Sequence, residues 1–192
     1  LRLNRLRLAT LRFAITEGER VWPLEQFAER TCSVRPGRVI YALRDEAARL
    51  EIEMVVLMPL APPAYGCLVR LDVRNLSDAP RRLEVVVTAN DVDSAEAPAD
   101  GAELAAGTLA LPTHREKGPY HDHDYAILAG FDGPCRAAHR PGAATGMCAT
   151  DLSVPADGKV RTHLVAVIDS PGWDEAKERQ RVGAFFEHNP EL

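Results

Sequence analysis

The chain has 192 residues, of which 46% are hydrophobic, and it carries a formal net charge of −5 at pH 7. A chain of this length buries roughly 70% of the surface that its unfolded form exposes, which suffices for one large domain and leaves little for a second. Its 23 basic residues are scattered and form no one-sided basic stripe, so we exclude nucleic acid as a partner.

The N-terminal stretch LRLNRLRLATLRF has no apolar block and no cleavage-site pattern, so it is not a signal peptide. The longest apolar run, residues 54–63, contains three prolines and is about half as long as a bilayer-spanning segment. We therefore expect no membrane contact, a cytoplasmic location, and a chain that belongs to a longer polypeptide.

Apolar side chains alternate with polar ones between Arg38 and Thr88, which is the pattern of strands with one buried face. Val55 and Leu57 interrupt the alternation, so we expect the second half of their strand to be covered on both faces. The expected buried positions are Leu50, Ile52, Met54, Val56 and Met58, then Cys67, Val69, Leu71 and Val73, then Leu83, Val85 and Val87.

Turn-forming residues follow the second of these strands in the segment NLSDAPRR, which predicts a hairpin loop between two neighbouring strands. Asn75, Leu76 and Ser77 also match a glycosylation acceptor, but we interpret them as turn chemistry. A second hairpin is predicted in CATDLSVPADGKVRTHLVAVID, where Pro155 and Gly158 interrupt the strand pattern. The segments 90–107 and 111–120 are predicted to be long loops, which are usually functional or mobile.

The C-terminal segment SPGWDEAKERQRVGAFFEHN changes to a helical pattern. Ser170 can cap this helix, and Pro171 suits its first position. We therefore divide the chain into a β domain at residues 1–170 and a C-terminal helix at residues 171–192. The fold class that these patterns indicate is mainly β, with antiparallel sheets.

The four cysteines lie far apart in the sequence and include no C-x-x-C pair, which argues against a zinc ribbon or a redox motif. We expect free buried thiols in a reducing compartment, with Cys67 and Cys148 acting as small hydrophobic residues in strands. No metal and no other cofactor is predicted. The other two cysteines are Cys32 and Cys135.

The segment THREKGPYHDHDY holds the most suggestive polar cluster. His121 and His123 would point to the same side of an extended segment, whereas Asp122 and Asp124 would point to the other. A closed metal site needs three or four ligands, and this segment supplies at most two. The alternative interpretation is a loop that is solvated or contacts a sugar.

Trp22 and Trp173 are the two tryptophans, and a tryptophan face can stack on a sugar ring or pack in a core. We take Trp22, His121 and His123 as candidate carbohydrate-binding residues. No G-x-S-x-G nucleophile motif is present. The sequence also cannot place Glu116 or Asp124 opposite a second acid, as glycoside hydrolysis requires, so no catalytic residue is predicted.

Taken together, the tryptophan segment at Trp22, the strand VVLMPLAPP and the stretch RLDVRNLSDAPRRLEV resemble the N-terminal β-sandwich of glycoside phosphorylases of the cellobiose and chitobiose phosphorylase kind. The segment DLSVPADGKVRTHLVAVIDSPGWDEAKE resembles their closing hairpin and linker helix. The resemblance covers about residues 20–180, and related modules occur in cyclic-glucan synthases and other enzymes with six-hairpin barrels.

This resemblance implies the large twisted sandwich that aldose mutarotases also have, here next to an (α/α)6 barrel that carries the reaction. The expected function is a non-catalytic domain of a phosphorylase or hydrolase that shapes the substrate cleft or the interface of a homodimer. Two alternatives stay open. One is a free-standing mutarotase-like enzyme that uses His121, His123 or His163 as the acid, and the other is a simple carbohydrate-binding module.

Overall fold

The computed structural model describes residues 2–3, 9–57, 65–91, 108–113, 125–139 and 145–169. These residues form thirteen β-strands and a short 3₁₀ helix, Leu24–Gln26. The strands belong to two sheets, and neighbouring strands pair antiparallel.

The first sheet has six strands. Five of them follow the order β1, β2, β8, β12 and β11, and the sixth, β3, pairs with the same edge of β2 as β1 does. Their bounds are Arg2–Leu3 for β1, Ala9–Glu17 for β2, Arg20–Pro23 for β3, Arg81–Asp91 for β8, Cys135–His139 for β11 and Thr145–Val154 for β12.

The second sheet has seven strands in the order β4, β5, β6, β7, β13, β10 and β9. Their bounds are Glu29–Arg35 for β4, Arg38–Asp45 for β5, Leu50–Leu57 for β6, Tyr65–Asn75 for β7, Thr108–Thr113 for β9, Tyr125–Phe131 for β10 and Lys159–Asp169 for β13.

The inner faces of the two sheets pack on each other and form one hydrophobic core. The alternating positions predicted in β6, β7 and β8 are all buried, apart from Met58, which lies outside the described residues. Val55 is also buried, on the outer face of β6, whereas Leu57 is only partly buried, so coverage on both faces is confirmed at Val55. The prediction of an antiparallel β-sandwich is confirmed.

The two predicted hairpins are wrong. β7 lies in the second sheet and β8 in the first, and likewise β12 lies in the first sheet and β13 in the second. The segments 76–80 and 155–158 are therefore arches that cross between the sheets. Asn, Ser, Pro and Gly favour a chain reversal of either kind, so the local sequence does not reveal which sheet the next strand joins.

The two arches lie side by side and are bonded to each other through Asn75, which is fully buried. Its Nδ2 donates to Ala79 O at 2.8 Å and to Pro155 O at 3.0 Å, and its Oδ1 accepts from the backbone N–H of Ser77 at 2.9 Å. The Asp157 N–H donates to Ser77 O at 3.0 Å. The interpretation of this triplet as turn chemistry is confirmed.

The segment predicted to be a loop at residues 111–120 begins inside β9, which runs to Thr113. β9 pairs with β10 along six positions, so residues 111–113 of the predicted loop belong to an edge strand of the second sheet. The remainder of that segment and the predicted C-terminal helix lie outside the described residues. No helix in the described part of the chain is long and apolar enough to span a membrane.

Candidate functional site

An open groove of about 700 Å³ is lined by residues of β2 in the first sheet and of β4, β5 and β6 in the second. On the side of the first sheet, β1 pairs with Ala9 and Thr10 and β3 pairs with residues 14–17 of β2. Residues 11–13, which line the groove, lie between these two paired stretches. Its other wall comes from β4, β5 and β6. A volume of this size is in the range of small-molecule sites.

The floor of the groove is apolar and its rim is polar. The floor consists of Leu11, Phe13, Leu24, Leu43 and Met54, all buried. The rim consists of Arg12, Glu25, Arg30, Thr31, Cys32 and Tyr41. An apolar surface with a few polar groups at its edge is suited to a ligand that has both characters, as a sugar ring does.

Tyr41 is the half-buried polar group nearest the floor, because strand register sets it opposite Met54 on one side and Cys32 on the other. Burial raises the pKa of its phenol, and the neighbouring thiol of Cys32 raises it further. The phenol therefore stays protonated at neutral pH and can donate a hydrogen bond. Glu25 is the one carboxylate among the described lining residues.

Trp22 lies on β3, half-buried and packed against the core, and it is not among the described residues that line the groove. The guanidinium of Arg81 lies over its ring, 5.4 Å from the ring centroid. Arg81 also binds both carboxylate oxygens of Glu17, at 2.9 and 2.8 Å. Whether Trp22 also stacks on a sugar stays a prediction.

His163 lies on β13, and its Nδ1 is 2.7 Å from Oδ2 of Asp132 in the turn between β10 and β11. The other carboxylate oxygen of Asp132 accepts from the backbone N–H of His163 and from Thr162 Oγ1, both at 3.1 Å. The sequence pointed to His163 as a candidate acid but not to Asp132, which is 31 positions away and is brought close by strand pairing.

A second charged cluster lies on the outer face of the second sheet around Asp72, whose side chain is 1% exposed. Burial acts to raise the pKa of Asp72, but hydrogen bonds from Arg161 and Lys159 lower it overall. Sequence alternation had placed Asp72 on a wet face, and instead these long cationic side chains cover it. These contacts favour the ionised form of the Asp72 carboxylate.

His121 and His123 lie outside the described residues, as does Trp173, so the structure does not relate either histidine to Trp22. Among the described residues, no group of three or more His, Cys, Asp or Glu side chains could hold a metal ion. Cys67 and Cys148 are buried, as expected, whereas Cys135 is half-buried and Cys32 is exposed, against the expectation of buried thiols. Burial raises the pKa of Cys67 and Cys148 to about 12.

Two stacked antiparallel sheets with arches between them define the chain as a large β-sandwich, and comparison with solved structures agrees. It is similar to a chain named "Putative kojibiose phosphorylase from human microbiome", with a TM-score of 0.65 and 6% sequence identity. The match covers 94% of this chain and 25% of that one. At this identity the likeness shows the fold alone.

The present chain thus spans about a quarter of the length of that neighbour and fits a domain of it. No protein-family model matches the sequence. No curated protein matches it either.

Proposed function

We propose that this chain is a non-catalytic β-sandwich domain of a carbohydrate-active enzyme, either a glycoside phosphorylase or a hydrolase. The observation that carries the proposal is the structural match, which takes in nearly all of this chain and a quarter of a chain named as a phosphorylase. In this role the sandwich shapes the substrate cleft or a subunit interface, and an (α/α)6 barrel in the same polypeptide performs the reaction.

The groove supports a part in shaping a sugar-binding cleft. It combines an apolar floor with the phenol of Tyr41 and the guanidinium groups of Arg12 and Arg30, which are the groups that contact the faces and hydroxyls of a sugar. The free thiols of Cys32, Cys67 and Cys148 support a reducing, cytoplasmic compartment.

The gene that encodes the chain provides the first test. We expect the reading frame beyond Leu192 to encode several hundred residues with paired helical patterns. A stop codon close to Leu192 would contradict the proposal of a domain attached to a barrel.

An activity assay provides the second test. The isolated chain is incubated with kojibiose and inorganic phosphate, and release of glucose 1-phosphate is measured. We expect no turnover above the rate without protein. Turnover by the chain alone would show that the sandwich is itself catalytic, and the proposal would fail.

Sugar contact by Trp22, His121 and His123 belongs to the same proposal. Binding to a glycan array should weaken in the double variant His121→Ala with His123→Ala and in Trp22→Phe, which keeps an aromatic ring in the core. His114→Ala is the matched control, because it changes a histidine of the same segment outside the pair. Equal binding by all variants would remove these residues from the site.

A mutarotase-like activity is the second candidate, and the Asp132–His163 pair favours it. A carboxylate that holds one imidazole nitrogen orients the other for proton transfer. Polarimetry on α-glucose and α-galactose measures this activity directly. Accelerated interconversion that is lost in His163→Gln, or in His121→Ala or His123→Ala, would establish the enzyme and displace the scaffold proposal.

A further inference from the structure

Strand β4 forms one edge of the second sheet. It pairs with β5 through seven consecutive positions, from Glu29 opposite Arg44 to Arg35 opposite Arg38, and no other described strand pairs with it. All seven of its residues are exposed. Its second edge therefore presents backbone N–H and C=O groups that can pair with another strand.

Natural edge strands usually carry a proline, a bulge or a central charge that prevents pairing with another chain. β4 has none of these between Thr31 and Val34, where the sequence is Thr-Cys-Ser-Val, and its register with β5 is regular. Val34 is 77% exposed. The middle of the strand is thus uncharged and flat, and its charges are confined to its two ends.

The order of those charges makes β4 complementary to itself. Two copies of β4 can pair antiparallel around a two-fold axis perpendicular to the sheet. Each residue then pairs with a residue whose side chain points to the same face of the sheet. When the axis is centred on Cys32, Glu29 lies opposite Arg35 of the second copy, and Thr31 lies opposite Ser33. The symmetry repeats both pairs on the other side of the axis. Centring it one residue earlier or later leaves Glu29 without a basic partner.

The inner face is compatible with the same register. Cys32 lies on this face, since it pairs with Tyr41 in the groove wall, and Arg30 and Val34 alternate with it. In the symmetric pair, Arg30 of one copy lies beside Val34 of the other, so the methylene groups of the arginine cover the exposed valine. The two Cys32 side chains meet at the axis.

We propose that β4 binds the β4 strand of a second copy of this chain in antiparallel register centred on Cys32. The two seven-stranded sheets then form one continuous sheet, and the two grooves lie side by side across the axis. This dimer would supply the subunit interface named in the function proposed above, but its register is argued from β4 alone and does not require a neighbouring barrel. Seven residues per copy bury less area than a standard stable interface, so we expect the isolated chain to form a weak, concentration-dependent dimer.

Charge reversal tests the register. In sedimentation experiments, Glu29→Arg and Arg35→Glu should each weaken self-association about tenfold, because each replaces two attractive pairs by two repulsive ones. Mixing the two variants should restore association, because every Arg of one chain then faces a Glu of the other. Glu19→Arg, which reverses an exposed acid in the turn between β2 and β3, is the matched control and should dimerise like the unchanged chain.

Cross-linking tests the axis. A short bismaleimide should join two chains of a Cys135→Ser variant through Cys32, and adding Cys32→Ser should abolish the product. Cys135 is replaced because it is only half-buried, whereas Cys67 and Cys148 are buried. Circular dichroism confirms that each variant is folded. Sedimentation as a monomer at millimolar concentration would overturn the proposal. So would a dimer that ignores both charge reversals, or failure of the mixed variants to associate.

Discussion

At the scale of single residues, Arg81 links the two sheets. From β8 in the first sheet, it donates through Nε and Nη2 to Glu17, and through Nη1 at 2.7 Å to Ala48 O in the turn between β5 and β6 of the second sheet. Its planar guanidinium also covers one side of Trp22. A single side chain thus joins both layers, which accounts for its being only 11% exposed.

The pH dependence of unfolding should reveal this contact. The hydrogen bond from Arg81 lowers the pKa of Glu17 from its ordinary value of 4.5. A carboxylate with a lowered folded-state pKa stabilises the fold above its unfolded pKa, and this contribution is lost as the pH falls through the folded pKa. We expect Glu17→Gln to lose about 1 kcal/mol of unfolding free energy at pH 7 and correspondingly less at lower pH.

Urea unfolding at a series of pH values from neutral to acidic measures this difference. Glu19→Gln is the control, because Glu19 is an exposed acid in the next turn. A constant difference between Glu17→Gln and the unchanged chain across the whole series would show that Arg81 does not stabilise the ionised carboxylate.

The two arches show, at the scale of elements, how the sheets are held in register. β7 pairs with β13 and β8 pairs with β12, so the chain crosses between the layers twice at the same end of the sandwich. Asn75 bonds both crossings, and its backbone N–H donates to Gly158 O at 2.9 Å. The buried amide thus donates hydrogen bonds to carbonyl groups that would otherwise have no donor.

Replacing this amide should therefore destabilise both arches. We expect Asn75→Ala to lower the free energy of unfolding by roughly 2–4 kcal/mol, because it leaves the carbonyl groups of Ala79 and Pro155 without these donors. Ser77→Ala is the matched control, since it removes a hydroxyl that binds Asn75 and leaves the amide in place; it should cost about 1 kcal/mol or less. Chemical denaturation measures both. A loss below about 0.5 kcal/mol in Asn75→Ala would contradict this role.

Stability at the scale of the whole molecule comes from the single core between the sheets. Leu71 is fully buried there, whereas Val34 is 77% exposed at the edge. We expect Leu71→Ala to lower the free energy of unfolding by roughly 2–5 kcal/mol, because it leaves a cavity between the sheets that they cannot move together to fill. Val34→Ala should change the unfolding free energy by about 0.5 kcal/mol or less. Thermal and urea unfolding measure both, and equal losses would show that the core is not located between the sheets.

The sequence by itself determined which residues face the core. Alternation along β6, β7 and β8 is set within each strand, because successive side chains point to opposite faces. Half-buried antiparallel sheets followed from that pattern, whereas the sandwich followed from the family resemblance. The turn role of Asn75 followed from the way its short amide bonds nearby backbone.

Tertiary structure alone decided which strands are neighbours. The same turn residues serve a hairpin and an arch, so the partners of β7 and β8 depend on how apolar faces from distant segments meet. The groove beside Tyr41, the pairing of Asp132 with His163 and the exposed edge of β4 all result from those long-range pairings. No local pattern encodes them, because each joins residues whose closeness exists only after the two sheets have packed.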